Sequence, residues 1–227
     1  MIKFVLLDID DTLFDFSKAE HTALSGTLSE MGVEPTDSVI KRYSEINREH
    51  WERLERRELT REQVLTYRFD ALYRELGAKK SSVETQRIYE YRLSLEHPFI
   101  DGAEELLREL YGKYKLYIVS NGTAVVQDRR IADSGIGKFF DGIFISQRVG
   151  ADKPAREFFD SCFAQIEGFE SEHAIIVGDS LTSDILGGKN AGIKTCHFNP
   201  DGKKNDNIRP DYEIKSLREL PALLGKL

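Results

Sequence analysis

Apolar positions along this chain fall into two regimes. Five short runs, Lys3–Ile9, Lys115–Ser120, Gly142–Ser146, Ala174–Asp179 and Lys194–Asn199, are almost continuously Val, Ile, Leu or Phe and then run into polar or turn residues. Runs of this kind suit strands covered on both faces by helices. Around them the apolar residues recur at helical spacing: Leu106, Leu107 and Leu110 before the second run, and Phe158, Phe159, Cys162 and Phe163 after Pro154. Alternating strand and helix predicts right-handed crossovers and a mainly parallel sheet, an α/β core of Rossmann-like type. Tyr212–Ile214 reads as a sixth strand ahead of a last helix carrying Leu217, Leu220 and Leu223.

The interval between the first two runs is far too long for one crossover helix. From Phe16 to Pro98 the pattern is almost wholly helical and rich in Glu and Arg. Thr60 followed by Gln63 has the form of a capping box, and Leu65, Phe69, Leu72 and Leu76 follow at helical spacing. Gly77 and the Lys79–Ser82 segment mark a turn. His97-Pro98 makes a natural exit, since proline biases its predecessor away from helix. The organisation expected is an α/β core of residues 1–15 and 99–227, with residues 16–98 inserted as an α-helical cap domain.

Composition narrows the function. The 227 residues allow one sizeable core, and 40% hydrophobic with 31% charged is an ordinary globular balance. A net charge of −7 argues against a nucleic-acid polymer as partner. Small anions stay within reach, because one metal ion reverses the local field of an acidic site. No stretch approaches the ~18 apolar residues of a membrane span, so no membrane partner is expected. The first run follows Met-Ile-Lys at once and leaves no room for a secretory signal. Cys162 and Cys196 sit among apolar neighbours without metal-type spacing and read as reduced core thiols. These features together suggest a cytoplasmic enzyme, a monomer or small homo-oligomer.

Four short signatures fall at the carboxyl ends of four successive strands, the edge where open parallel sheets bind ligands. Asp8-Ile9-Asp10-Asp11-Thr12 follows the first strand, and strand alternation makes Asp8 and Asp10 project similarly. A helix cap or acidic turn would explain one such Asp, but a cluster ending a buried strand is costly unless a cation joins it. Ser120-Asn121-Gly122-Thr123 offers a hydroxyl and backbone N–H groups to an anion at a helix start; plain N-capping by Asn121 or Thr123 fits equally well. Lys153-Pro154 opens an apolar helix, with Pro at its first position; alone, Lys153 reads as a solvated charge, and its place at the same edge promotes it. Gly178-Asp179-Ser180-Leu181-Thr182-Ser183-Asp184 supplies two further carboxylates, one for a metal and the other for its waters or for Lys153.

In that order, Asp8-x-Asp10-x-Thr12, Ser120, Lys153-Pro154 and Gly178-Asp179-x4-Asp184 resemble the four motifs of the haloacid dehalogenase superfamily. The match spans the whole chain, including a helical cap inserted after the first motif. The wording of Asp11–Phe16, Gly178–Ile185, Gly187–Gly192 and Asn199-Pro200 is similar to the bacterial pyrimidine 5′-nucleotidase branch.

The resemblance implies a Mg²⁺-dependent phosphatase that works through an aspartyl-phosphate. It implies Asp8 as nucleophile, Asp10 as general acid then base, and Thr12 as the residue that positions their loop. Ser120, the Asn121 amide, Gly122 and Lys153 are implied as phosphoryl-binding groups. Asp8, the Asp10 carbonyl, Asp179 and Asp184 are the metal ligands implied, Asp184 directly or through water. Dehalogenases of this fold lack a carboxylate two residues after the nucleophile, so Asp10 favours phosphatase.

The substrate class expected is a nucleoside 5′-monophosphate, pyrimidine ones foremost. A broad sugar-phosphate or phosphoglycolate phosphatase is the alternative, and a non-catalytic phospho-Asp regulator a more distant one. In the cap, Trp51 suits either a stacked base or the cap core. Arg48, Arg56, Arg57, Arg61 and Arg68 read as a solvated face or as leaving-group contacts. Phe14 and Phe16 either line the entrance or pack the hinge.

Overall fold

The computed structural model describes residues 1–202 and 207–227. The chain divides into two compact units, Met1–Asp15 with Pro98–Leu227, and Phe16–His97. After strand β1 (Phe4–Leu7) the second unit forms four helices: α1 (Phe16–Glu30), α2 (Asp37–Glu55), α3 (Arg61–Glu75) and α4 (Ser82–Leu93). The chain then continues through α5 (Ala103–Leu110), β2 (Lys115–Ser120), α6 (Ala124–Ser134), β3 (Gly142–Ile145), α7 (Ser146–Val149) and α8 (Arg156–Phe163). It closes with β4 (Ala174–Gly178), a π-helical turn at Leu181–Ile185, α9 (Leu186–Ala191), β5 (Lys194–Phe198), β6 (Tyr212–Ile214) and α10 (Leu220–Leu224).

The six strands form one parallel sheet in the order β3-β2-β1-β4-β5-β6. Central β1 pairs Phe4 with Lys115 on one side and with Ala174 on the other. The chain moves outward from β1 through β2 to β3, then returns to β4 on the opposite side. The point where the order reverses therefore lies at the carboxyl ends of β1 and β4, where a crevice opens in sheets of this kind.

Strand alternation divides the core between the two sheet faces. Val5, Leu7, Ile118, Ile175 and Val177 pack with Leu106, Leu107 and Leu110 of α5 and Leu220 of α10. Phe4, Leu6, Val119 and Ile176 pack with Phe158, Phe159 and Cys162 of α8. With both faces covered, the strands read as unbroken apolar runs. Most runs leave the sheet a residue or two earlier than the sequence suggests, because the polar residues at their ends turn toward the rim. Cys162 and Cys196 are buried and free, and burial pushes both thiols up to about 12.

Within the helical unit, α1 packs against α4 and α2 against α3. Thr60 and Gln63 form the expected reciprocal capping box at the start of α3. The buried stripe of α3 differs from the expected one: it is Val64, Arg68, Phe69, Leu72 and Tyr73, while Leu65 is half-buried and Leu76 exposed. A buried charge displaces leucine because it has partners. The Arg68 guanidinium donates to Asn47 at 2.6 Å and Gln86 at 2.7 Å, and the Asn47 amide donates to Glu20 at 2.8 Å. Tyr43, Phe69 and Tyr89 surround this network, with centroids 4.9–5.7 Å apart. No helix among the described residues is long and apolar enough to cross a membrane.

Candidate active site

Asp8 follows β1 directly, and its N–H still bonds the Val177 carbonyl at 3.0 Å, which fixes it to the sheet edge. The ammonium of Lys153, only 1% exposed, donates to Asp8 Oδ1 at 2.6 Å, Asp184 Oδ1 at 2.6 Å and the Val119 carbonyl at 2.8 Å. All three of its hydrogens are thus engaged. Burial works against the charged amine, but Asp184 and Asp8 outweigh it and hold Lys153 above the ordinary lysine value.

Oxygens of Asp8, Asp179 and Asp184 lie within 4.8 Å of one another. Burial pushes the Asp8 carboxyl up to about 8; Lys153 opposes the rise, and Asp184 and Asp10 add to it. Asp179 is raised well above the ordinary carboxylate range by burial and by Asp8, Asp184 and Asp11. Crowded carboxylates that resist ionisation are what a hard divalent cation relieves, and an all-oxygen donor set is what Mg²⁺ prefers. The residues fit such an ion. Asp184 already has both oxygens in use, one on Lys153 and one accepting the Ser180 N–H at 3.1 Å.

The loop after β1 doubles back sharply: Asp11 adopts φ of 58°, and the N–H groups of Leu13 and Phe14 both bond the Ile9 carbonyl. Thr12, fully buried, accepts the Asp179 N–H at 3.1 Å, so the loops after β1 and β4 are tied together. His197 on β5 donates from Nε2 to the Asp179 carbonyl at 2.9 Å; a carbonyl can only accept, so that nitrogen carries hydrogen. Gly178 is required by close approach, since a Cβ there would sit 2.2 Å from Asp184 Oδ2.

The Ser120–Thr123 segment is organised differently from the expectation of open backbone donors. The Ser120 hydroxyl accepts the Gly122 N–H at 3.0 Å and the Gln127 amide at 3.0 Å, so its own hydrogen is what it offers outward. Thr123 occupies the cap position of α6 without a side-chain capping bond, and the Ala124 N–H goes to Gln147 at 2.8 Å. The Asn121 side chain grips Lys153, accepting its N–H and donating to its carbonyl, both at 2.8 Å. This grip holds Lys153-Pro154 in a turn joined by a cis peptide bond, and the helix starts at Arg156. Pro154 therefore does not open that helix.

Asp10 stands apart from the other carboxylates. Its Oδ1 accepts from Arg130 at 2.5 Å and its Oδ2 from Gln127 at 2.7 Å, both on α6. Neither partner stands out in the sequence. The available signal was an arginine in the same helical phase as Val126 and Ile131, where a charge needs a partner. Phe14 is buried under Arg130 and packs on Phe99, so it belongs to the core. In the helical unit, Arg61 lies over the Trp51 ring at 5.4 Å, Arg48 and Arg56 pair with Glu52, and Arg56 also pairs with Glu58.

A six-stranded parallel sheet with an inserted helical unit, and a carboxylate–lysine rim at its switch point, defines a Rossmann-like α/β core with a helical cap. Residues 5–198 match the family model for haloacid dehalogenase-like hydrolases, and the chain belongs to that family. The HAD-hydrolase YfnB of Bacillus subtilis is 40% identical over 97% of this chain and 94% of its own. Its crystal structure, bound to magnesium, matches with a TM-score of 0.94 over 98% of each chain. The pyrimidine 5′-nucleotidases PynA of Streptococcus pneumoniae and YjjG of Escherichia coli are 35% and 30% identical, over 99% and 98% of this chain and 95% and 98% of their own.

Proposed function

We propose that this hydrolase is a Mg²⁺-dependent phosphatase acting on nucleoside 5′-monophosphates, pyrimidine ones foremost, through an aspartyl-phosphate at Asp8. The observation that carries the reading is the three-way contact of Lys153 with Asp8, Asp184 and a strand carbonyl beside Asp179. A nucleophilic carboxylate must approach a phosphoryl dianion, and that approach requires concentrated positive charge. Lys153 supplies one part. Mg²⁺, when bound, supplies the rest by neutralising charge on the phosphoryl oxygens; Asp8, Asp179 and the Asp10 carbonyl would hold it, and Asp184 completes the negative charge around it.

An Asp8 oxygen forms a bond to phosphorus as the bond to the leaving oxygen breaks, and Asp10 delivers its proton to that oxygen. Water then attacks phosphorus, gives its proton to Asp10, and the Asp8–phosphorus bond breaks. Ser120 directs its hydroxyl hydrogen at a phosphoryl oxygen, and Asn121 acts through Lys153 as well as through its amide. Gly122 allows Gln127 to reach the loop, since a Cβ there would sit 2.4 Å from the Gln127 amide nitrogen.

Similarity to PynA and YjjG over nearly the full chain supports the nucleotide class. Phosphate release from dUMP, dTMP, phosphoglycolate and hexose phosphates tests it. A kcat/KM for the pyrimidine nucleotides at least ~10-fold above the others is expected, a discrimination of about 1.4 kcal/mol. Equal rates across the panel would reject the nucleotide assignment.

A further inference from the structure

We propose that Arg130, assisted by Gln127, is the positioning residue that fixes the Asp10 carboxylate for proton transfer, linking it to the hydroxyl that holds the phosphoryl group. The proposal rests on the phosphatase reading above, and it concerns two α6 residues that lie outside the four motifs.

Four observations converge. First, both Asp10 oxygens are held from α6, one by Arg130 and one by Gln127. Second, the same Arg130 nitrogen donates to Gln127 Oε1 at 3.0 Å, and Gln127 donates to the Ser120 hydroxyl at 3.0 Å, so one connected set spans acid and phosphoryl-binding group. Third, the clamp stands on rigid parts: Arg130 lies over the Phe14 ring at 5.0 Å, and Phe14 packs on Phe99 at 5.2 Å. Fourth, the pair is asymmetric, since the Arg130 side chain is 0% exposed and that of Asp10 28%. The guanidinium is wholly enclosed, and the carboxylate keeps a face toward solvent.

Stability alone gives little reason for this arrangement. A buried ion pair is often no more stabilising than apolar side chains of the same volume, and α6 presents Val126 and Ile131 to the same core. Orientation does give a reason. A general acid must sit within hydrogen-bond reach of one particular oxygen, and a displacement of about 1 Å can cost ~10²-fold. A carboxylate on a doubled-back loop gains that fixity from two donors on a neighbouring helix.

The test uses the full-length protein with Mg²⁺ and compares two esters. A nucleoside 5′-monophosphate leaves as an alkoxide and needs a proton; p-nitrophenyl phosphate leaves as a stabilised phenolate and hardly does. Arg130→Met is expected to slow the first turnover of the nucleotide, read as nucleoside release before the intermediate breaks down, by ~10² or more, with a far smaller loss in the first-turnover burst of phenolate from the aryl ester. Asp10→Asn should show the same selectivity. The double variant should be no worse than Asp10→Asn alone, because both act on one proton. Arg130→Lys, which can still reach a single oxygen, should recover part of the nucleotide rate.

Gln127→Met removes no charge and should show the same ester selectivity in weaker form, so it decides the matter if Arg130→Met does not fold. Equal first-turnover losses on both esters in whichever variant folds would overturn the clamp while leaving the phosphatase reading intact. A wild-type protein inactive on both esters would overturn the phosphatase reading itself.

Discussion

The ammonium of Lys153 lies 2.6 Å from Asp8 and equally close to Asp184, joining two carboxylates that would otherwise repel each other at the head of the sheet. Removing it should damage both fold and chemistry. Lys153→Ala is expected to lower turnover by ~10²–10³, the usual loss for one preorganised electrostatic group. It should also cost about 3–5 kcal/mol, as expected when one partner leaves a buried pair. Lys153→Arg should not restore the rate, because a planar fork cannot place three donors where an ammonium does. Kinetics and urea unfolding in Mg²⁺ read both effects.

The crowded carboxylates also predict how pH acts on the metal-free protein. Asp8 moves from an ordinary value near 3.8 to about 8 in the fold. The folded chain therefore keeps a proton that the unfolded chain releases, and this contribution is fully present below about pH 4 and lost as pH rises toward about 8. In chelator, the Tm of the wild type should fall across that interval relative to Asp8→Asn, which lacks the titration. Mg²⁺ should raise the wild-type Tm more at the alkaline end, since it binds the ionised form. A wild-type Tm that rises relative to the variant would contradict this.

Gly178 tests whether Asp184 needs its present place. Gly178→Ala puts a Cβ against the Asp184 carboxylate, which also anchors Lys153. Loss of most turnover is expected, together with a smaller Mg²⁺-induced Tm shift and the protein still folded. Turnover at the wild-type rate would show that Asp184 tolerates displacement.

How much of this was legible beforehand depends on the range over which each feature is determined. The strands announce themselves locally, because each is buried on both faces and reads as apolar throughout. Asp8, Ser120 and Asp179 are placed at strand ends by counting along the chain, and the parallel topology brings those ends to one edge; Lys153 follows β3 only after α7, and the Asn121 side chain ties it to that edge. What the sequence hid are contacts fixed only once elements pack. Asn121 turns sideways to grip Lys153 and moves Pro154 out of the helix. Arg130 reaches across from α6 to Asp10. Arg68 takes a core position that leucine spacing assigned elsewhere, because Asn47 and Gln86 meet it from other helices.

That last network makes a separate prediction for the helical unit. Arg68→Met keeps the volume but leaves the Asn47 and Gln86 oxygens without their charged donor. A loss of about 2 kcal/mol or more is expected, since buried acceptors stripped of a partner carry their full desolvation cost. Chemical denaturation of the full chain measures it. A variant as stable as the wild type would show that the network contributes specificity only.

The covalent intermediate is the most direct point of attack. Asp10→Asn, supplied with Mg²⁺ and p-nitrophenyl phosphate, needs no acid to expel the phenolate and lacks the base that activates water, so the acyl phosphate should accumulate. Acid quenching, borohydride reduction and peptide mass spectrometry should then find residue 8 reduced to homoserine. Continued phenolate release with residue 8 unmodified, or with the phosphoryl group on another side chain, would contradict Asp8 as the nucleophile.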